Sequence, residues 1–247
     1  MEIALAASCD VYFYKTGLLM GPEPVAEWAG KFGLGKKTGI DLPGEAKGTI
    51  PSPAWKKKMA PLFHNPDSTW YPGDTANMVI GQGDVQCTPI QMAQVTSAIA
   101  NGGTVYAPHI VKQATDSITQ KVLYTAEPKV MNRLGLLPEQ IQAIARGMRH
   151  CVAGPRGTAH LINLHGVTVA GKTGSAERHG GGKKESHAWF VCFAPYEHPQ
   201  IAIAIFLESD GQNYHGGADA APIARKMLAK YFHITEQTSS TDGSHFD

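Results

Sequence analysis

The sequence has no run of about 18 consecutive apolar residues, the least that a bilayer-spanning helix requires. Its opening, Met1-Glu2-Ile3-Ala4-Leu5-Ala6-Ala7-Ser8, lacks the basic flank and the length of a secretory signal. As written, the chain is expected to carry neither a membrane anchor nor an export signal. It is also short of net charge. With 22 Lys and Arg against 21 Asp and Glu, the formal charge is +1, and the basic residues are spread along the chain. That leaves no electrostatic footprint for nucleic acid or an anionic membrane surface, and no nucleic-acid partner is expected. The four cysteines, Cys9, Cys87, Cys151 and Cys192, make no Cys-x-x-Cys pair, which argues against a zinc ribbon or a dithiol redox site. They are expected as separate thiols packed like small apolar groups, with disulfides left open by the even count in an oxidising compartment. Among the 11 histidines, including His150, His160, His165, His179, His187, His198 and His215, none forms a His-x-x-x-His pair on a helix beside a carboxylate, so no metal site is expected.

What is present is enough apolar material for a core: 43% of 247 residues, compatible with one domain. Residues 3–19 read as a helix with hardly any polar face, expected to be buried within a larger body. A second helix is expected over 23–32, stopped by Gly33 and Gly35. From 36 to 87 the chain is rich in Gly, Pro, Asp and Lys without a sustained apolar period, and reads as irregular connections. Thr88-Pro89 is a helix start, followed by the stripe Ile90, Met92, Ala93, Val95, Ala98 and Ile99 and ended by Asn101-Gly102-Gly103. Another helix is expected from Pro138 to about Val152. The period then changes: 167–170, 188–193 and 201–207 read as three strands, two of them buried on both faces. Residues 218–232 read as a closing amphipathic helix with Ala221, Ile223, Ala224, Met227, Leu228 and Tyr231 on its core side, and 235–247 as a disordered tail after a body spanning 1–234. Helices, then strands, then one helix predict an α+β fold, helices packed on a largely antiparallel sheet.

Chemistry has to be found by context, because the tripeptide Lys-Thr-Gly occurs three times: Lys15-Thr16-Gly17, Lys37-Thr38-Gly39 and Lys172-Thr173-Gly174. The first lies near the expected end of the N-terminal helix, with Gly17 as a helix-end residue, and the second in a Gly-rich loop. The third alone follows a strand-like run and is trailed by small Ser175 and Ala176, so that a strand edge there could approach a ligand closely. In the serine acyl-transfer enzymes that combine Ser-x-x-Lys, Ser-Asp-Asn and Lys-Thr-Gly, separate segments converge on one cleft. Lys172 would supply positive charge, Thr173 a hydroxyl for a carboxylate, Gly174 room, and the amide of Ser175 a donor to an oxyanion. Ser8-Cys9-Asp10 fits the middle motif in its Ser-x-Asp form, nominating Ser8 and Asp10.

Longer stretches carry a resemblance. They are Gly39-Ile40-Asp41-Leu42-Pro43-Gly44-Glu45, Trp70-Tyr71-Pro72-Gly73-Asp74-Thr75, Gly81-Gln82-Gly83, Thr88-Pro89-Ile90-Gln91-Met92-Ala93 and Ala98-Ile99-Ala100-Asn101-Gly102-Gly103. Gly157-Thr158-Ala159, Val169 to Ala176, and His187-Ala188-Trp189-Phe190 with Phe193-Ala194-Pro195 continue it. In order and spacing these closely resemble the transpeptidase domain of the class B penicillin-binding proteins, over roughly residues 1–232. Asp10 in place of Asn resembles the elongation-type branch, penicillin-binding protein 2, more than the division-type one. The resemblance implies the penicillin-binding/β-lactamase-like transpeptidase fold with its N-terminal part missing. It also implies a D,D-transpeptidase that crosslinks peptidoglycan stem peptides by acyl transfer, needs no cofactor and is inhibited by β-lactams. Its place would be the periplasmic face of the bacterial inner membrane, with a membrane-embedded glycan polymerase as partner.

One element of that resemblance is absent. Three positions after each serine stand Val11, Trp55, Tyr71, Ala100, Gln120, Arg178, Trp189, Gln212, Asp242, Gly243 and Asp247, so the chain contains no Ser-x-x-Lys. Neither the nucleophile nor its lysine base is supplied, and the chain alone is expected to be inactive. The alternative is a non-catalytic fragment or degenerate homologue that keeps a ligand- or partner-binding cleft. Residues 179–184, with Gly180-Gly181-Gly182, read as a loop beside the Lys172 strand that could cover the cleft.

Overall fold

The structure, a computed structural model, describes residues 1–62, 67–180 and 183–235. The first hundred residues are organised by helices: α1 (Glu2–Ala6), α2 (Asp10–Met20), α3 (Pro22–Lys31), α4 (Pro53–Met59), α5 (Pro72–Val79) and α6 (Pro89–Ala100). Proline opens each of the last four, where its missing N–H costs nothing because no intrahelical acceptor is in reach. Helix α6 has the predicted start. Thr88 Oγ1 accepts from Gln91 N at 3.3 Å while Gln91 Oε1 accepts from Thr88 N at 2.9 Å, a reciprocal cap.

Two expectations for this portion fail. The helix over 3–19 is two helices, broken at Ala7–Cys9, where Ser8 takes a left-handed φ of 51°. Nor is it buried. Ile3 (67% exposed), Val11, Tyr12, Leu18, Leu19 (88%) and Met20 all face solvent, and α2 meets α5 and α3 around Gly17, its one buried residue. A helix apolar on every side has no face that tells which neighbour covers it. Second, the stretch 36–87 contains α4 and α5. Two turns are too short to reveal a 3.6-residue period, although Ser52-Pro53 and Tyr71-Pro72 are start signals of the same kind as Thr88-Pro89. Trp55 N donates to Ser52 Oγ at 3.1 Å, and Tyr71 N to Asp74 Oδ2 at 2.8 Å.

Four short strands follow that the sequence reading missed. β1 (Thr104–Tyr106) pairs antiparallel with β4 (Val130–Arg133), and β2 (Gln113–Thr115) with β3 (Val122–Thr125). β2 and β3 are exposed on both faces, so no inside-outside alternation marks them. Helix α7 (Pro138–Ala153) is as predicted to within a residue, and a 3-10 turn covers His160–Ile162.

The main sheet is antiparallel, in the order β5 (Ala170–Gly180), β6 (Lys183–Ala194), β7 (Ile201–Leu207). The strand expected at 167–170 starts where that segment ends and runs through Lys172-Thr173-Gly174. Backbone pairing with β6 holds it, Lys172 opposite Val191 and Gly174 opposite Trp189. The loop expected at 179–184 is likewise strand as far as Gly180 and again from Lys183, with Gly181 and Gly182 outside the described residues. β7 has the predicted bounds, but only Ile203 in it is buried, because the strand is an outer member of this sheet.

Helix α8 (Ala221–Tyr231), entered through a wide π turn over Gly216–Ala220, packs on β6 and β7 through Ala221, Ala224, Leu228 and Ala229. Ile223, Met227 and Tyr231, expected on the core side, are exposed: the small alanines form the close-packing face. Between the sheet, α7 and α8 lies the principal core, with Val152, Ile162, Val169, Phe190, Cys192 and Leu228 closed to solvent. Burying such side chains stabilises by about 1.5–3 kcal/mol each. All four cysteines are free thiols. Cys151 and Cys192 are buried, with Cys192 pushed up to about 12 by desolvation, but Cys9 is exposed rather than packed. Among the described residues no helix is long and apolar enough to cross a membrane. The expected tail falls almost wholly on 236–247, outside the described residues.

Candidate active site

The break between α1 and α2 and the start of β5 meet. A regular helix through residue 8 would direct its side chain along the helix surface; the left-handed turn instead presents the Ser8 hydroxyl to the sheet. Lys172 Nζ donates to Ser8 Oγ at 2.5 Å and to Thr173 O at 2.6 Å, joining residues 164 positions apart. Asp10, first residue of α2, and Ser8 line a cavity of about 330 Å³ with Lys172, Thr173, Gly174 and Ser175. Leu5, Phe13, Val79 and Ile80 give it apolar walls. Burial holds Lys172 below the ordinary lysine range, and the negative forms of Cys151 and Asp10 oppose that shift.

The strand beyond Lys172 is also tied down. Thr173 Oγ1 shares a hydrogen bond with Thr158 Oγ1 at 2.7 Å, and Thr158 Oγ1 another with Cys151 Sγ at 3.2 Å. Gly216 lies against Gly174: a Cβ at 216 would stand 2.3 Å from Trp189 O and 2.6 Å from Gly174 O, so only glycine fits. Gln82 Nε2 donates to Ser175 O at 3.2 Å. A second, mainly apolar cavity of about 300 Å³ adjoins the same strand, lined by Met78, Val85, Met92, Trp189 and Val191 as well as by Lys172 to Ala176.

All six residues nominated from sequence, Ser8, Asp10, Lys172, Thr173, Gly174 and Ser175, therefore border one cavity. The other two tripeptides stand apart from it. Thr16 Oγ1 donates to Tyr12 O within α2, and Gly17 lies inside that helix, which ends instead at Gly21 with a φ of 80°. Thr38 donates through N and Oγ1 to Glu45 Oε1, at 2.6 and 2.5 Å, closing a loop. Gln82, Thr158 and Cys151 were missed as site residues. Gly81-Gln82-Gly83 and Gly157-Thr158-Ala159 stood out only as stretches, since a lone Gln or Thr has no spacing that marks a role. No group of three or more His, Cys, Asp or Glu among the described residues is placed to hold a metal ion.

A hydroxyl–amine pair, built from segments 164 residues apart, thus lies beside an outer strand of the sheet. The family model described as penicillin binding protein transpeptidase domain matches residues 1–229, and the chain belongs to that family. Within it, the chain is similar to peptidoglycan D,D-transpeptidase MrdA of Haemophilus influenzae, 33% identical over 92% of this chain and 35% of that protein. The same protein of Escherichia coli K12 is 34% identical over 97% and 37%. The chain thus spans somewhat over a third of the curated relatives it matches. Among solved structures it is similar to Pseudomonas aeruginosa penicillin-binding protein 2 in complex with WCK 5153, at 33% identity and a TM-score of 0.77, covering 98% of this chain and 51% of that one. It is also similar to penicillin-binding protein 2 of Helicobacter pylori in complex with MreC, at 31% identity and a TM-score of 0.74, covering 94% and 40%. The resemblance to the penicillin-binding protein 2 branch, and the α+β transpeptidase fold expected from it, are borne out.

Proposed function

We propose that this chain supplies the substrate-binding part of a serine-type peptidoglycan D,D-transpeptidase, the activity named for its MrdA relatives. The observation that supports this best is the contact of Lys172 Nζ with Ser8 Oγ beside the open side of β5. In the proposed reaction a serine hydroxyl attacks a stem-peptide carbonyl, and the C–N bond breaks as the leaving amine takes up a proton. An acceptor amine then attacks the acyl ester and releases the serine. Ser8, hydrogen-bonded to Lys172, is placed to hand a proton towards the leaving amine; the lysine's partial burial favours its giving up protons more readily than an exposed lysine does. Thr173 offers a hydroxyl to the substrate carboxylate, Gly174 leaves room along the strand, the amide of Ser175 faces the developing oxyanion, and Asp10 balances the charge on Lys172.

The nucleophilic serine and its lysine are not among these 247 residues, since no Ser-x-x-Lys occurs. On this reading the chain alone binds but does not acylate. A fluorescent penicillin is expected to leave no covalent label on any serine of the chain, and a labelled serine would overturn that. Lys172→Ala is expected to weaken noncovalent binding of a stem peptide by at least about tenfold, the cost of one charge-assisted contact. Unchanged affinity would sink the substrate role of the cavity. The periplasmic face of the inner membrane, β-lactams as inhibitors and a membrane-embedded glycan polymerase as partner belong to the same proposal.

A further inference from the structure

We propose that Gln82 is a displaceable latch on the ligand edge of β5, lowering the affinity of that edge for extended, amide-bearing ligands until it is pushed aside. The inference rests on reading β5 as the substrate edge. Among the described residues, β5 is hydrogen-bonded to β6 on one side only in its sheet. In an antiparallel ladder, the N–H and C=O groups of alternate residues point to opposite sides. Thr173 O and Ser175 O accept from Lys172 Nζ and Gln82 Nε2 respectively, so both carbonyls face away from β6, towards the cavities.

An unpaired strand edge bordering a cavity is where an extended chain adds, through main-chain hydrogen bonds. The N–H of such a ligand needs the acceptor that Gln82 occupies. A glutamine amide is chemically a copy of a peptide amide, so Gln82 satisfies Ser175 O as a ligand would, and competes with it.

The loop that carries Gln82 is fixed while its side chain is free to leave. Gln82 N donates to Asn77 O at 2.9 Å, at the C-terminal end of α5. Gly81 and Gly83 hold left-handed φ values of 76° and 69° on either side. Because backbone and turn are anchored, release requires only side-chain rotation. At 3.2 Å the latch bond is at the long end of the normal range, so a ligand amide with better alignment displaces it.

The test uses acetyl-D-alanyl-D-alanine and the same dipeptide N-methylated at its acyl-bearing amide, with Gln82→Ala and Gln82→Met, the second keeping the volume and the neutral charge but losing the donor. Both variants are expected to bind the N–H dipeptide about two- to tenfold more tightly than the parent, the worth of one exchanged hydrogen bond, and to gain nothing for the methylated probe. Equal or weaker binding, or the same gain for both probes, overturns the latch. A readout without ligand is the exchange rate of the Gln82 side-chain amide protons. It is expected to be slower than in free glutamine and to reach the free rate when the dipeptide saturates the chain. A free rate in the unliganded protein overturns the latch on its own. If the amide is protected but neither parent nor variants bind the dipeptide, the substrate reading fails, and the claim of competition with it.

Discussion

Helices α2 and α6 are of similar length and both rich in apolar residues, yet they end in opposite surroundings. In α6 even polar side chains are buried: Gln91 is closed to solvent, its Nε2 donating to Lys36 O at 2.7 Å and Lys47 O at 2.8 Å, and Gln94 Nε2 donates to Tyr106 O at 2.7 Å. In α2 even apolar side chains are exposed, Leu19 at 88%. Apolarity alone does not decide burial. Helix α6 is covered because its glutamines collect carbonyls of the 36–47 loop and of β1 that would otherwise need water, and those segments bring the cover with them. Among the described residues, the side-chain hydrogen bond that α2 makes, Thr16 to Tyr12 O, stays within the helix.

The sharpest break in this comparison is Gln91→Leu, which keeps the bulk but strands two carbonyls without their donor and removes the acceptor that caps Thr88 N. It is expected to destabilise by about 2–6 kcal/mol from the two carbonyls, one to three each, read from the midpoint of urea unfolding. A loss below about 1 kcal/mol would mean that α6 is held by its apolar stripe after all. Next in size is the pH dependence at Lys172, beside the break that leads into α2. Lys172 has a lowered pKa in the folded chain, so the unfolded chain binds more protons between that value and the ordinary lysine value of about 10.4. Stability from this group therefore rises with pH across that window. Lys172→Met is expected to lack that rise, seen as the difference between parent and variant unfolding curves from neutral to alkaline pH; parallel curves would show that the lysine is not desolvated. Smallest is Leu19→Ser, expected to shift stability by no more than about 0.5 kcal/mol in the same unfolding measurement. A large loss would place a buried partner on α2.

Where the fold was legible, the signal was local and long. Thr88-Pro89 with Gln91 marked α6, the spacing of Ile141, Ile144, Ala145 and Met148 marked α7, and the run Ile201 to Leu207 marked β7 to the residue. Where it was not, the elements were too short or too exposed to show a period, as in α4, α5, β2 and β3, or were made of residues with no strand character of their own. β5 is the instructive case. Lys172, Thr173, Gly174, Ser175 and Ala176 are strand because β6, with Trp189, Phe190 and Val191 opposite, holds them there. The candidate site residues were legible as motifs because Ser8, Asp10 and Lys172 to Ser175 stand at fixed offsets within their own segments. That Ser8 and Lys172 touch, and that Gln82 reaches Ser175, are facts of tertiary packing with no trace in residue spacing.

The left-handed turn at Ser8 places an opposition of interests at one residue. A serine at φ 51° sits in a conformation disfavoured by about 1–2 kcal/mol, which glycine adopts without penalty. Ser8→Gly should therefore relax the backbone while deleting the hydroxyl that Lys172 engages, so thermal tolerance would hold or rise as the binding proposed for this cavity falls. A population of variants screened for heat resistance alone would drift away from serine at this position, whereas one screened for binding would return to it.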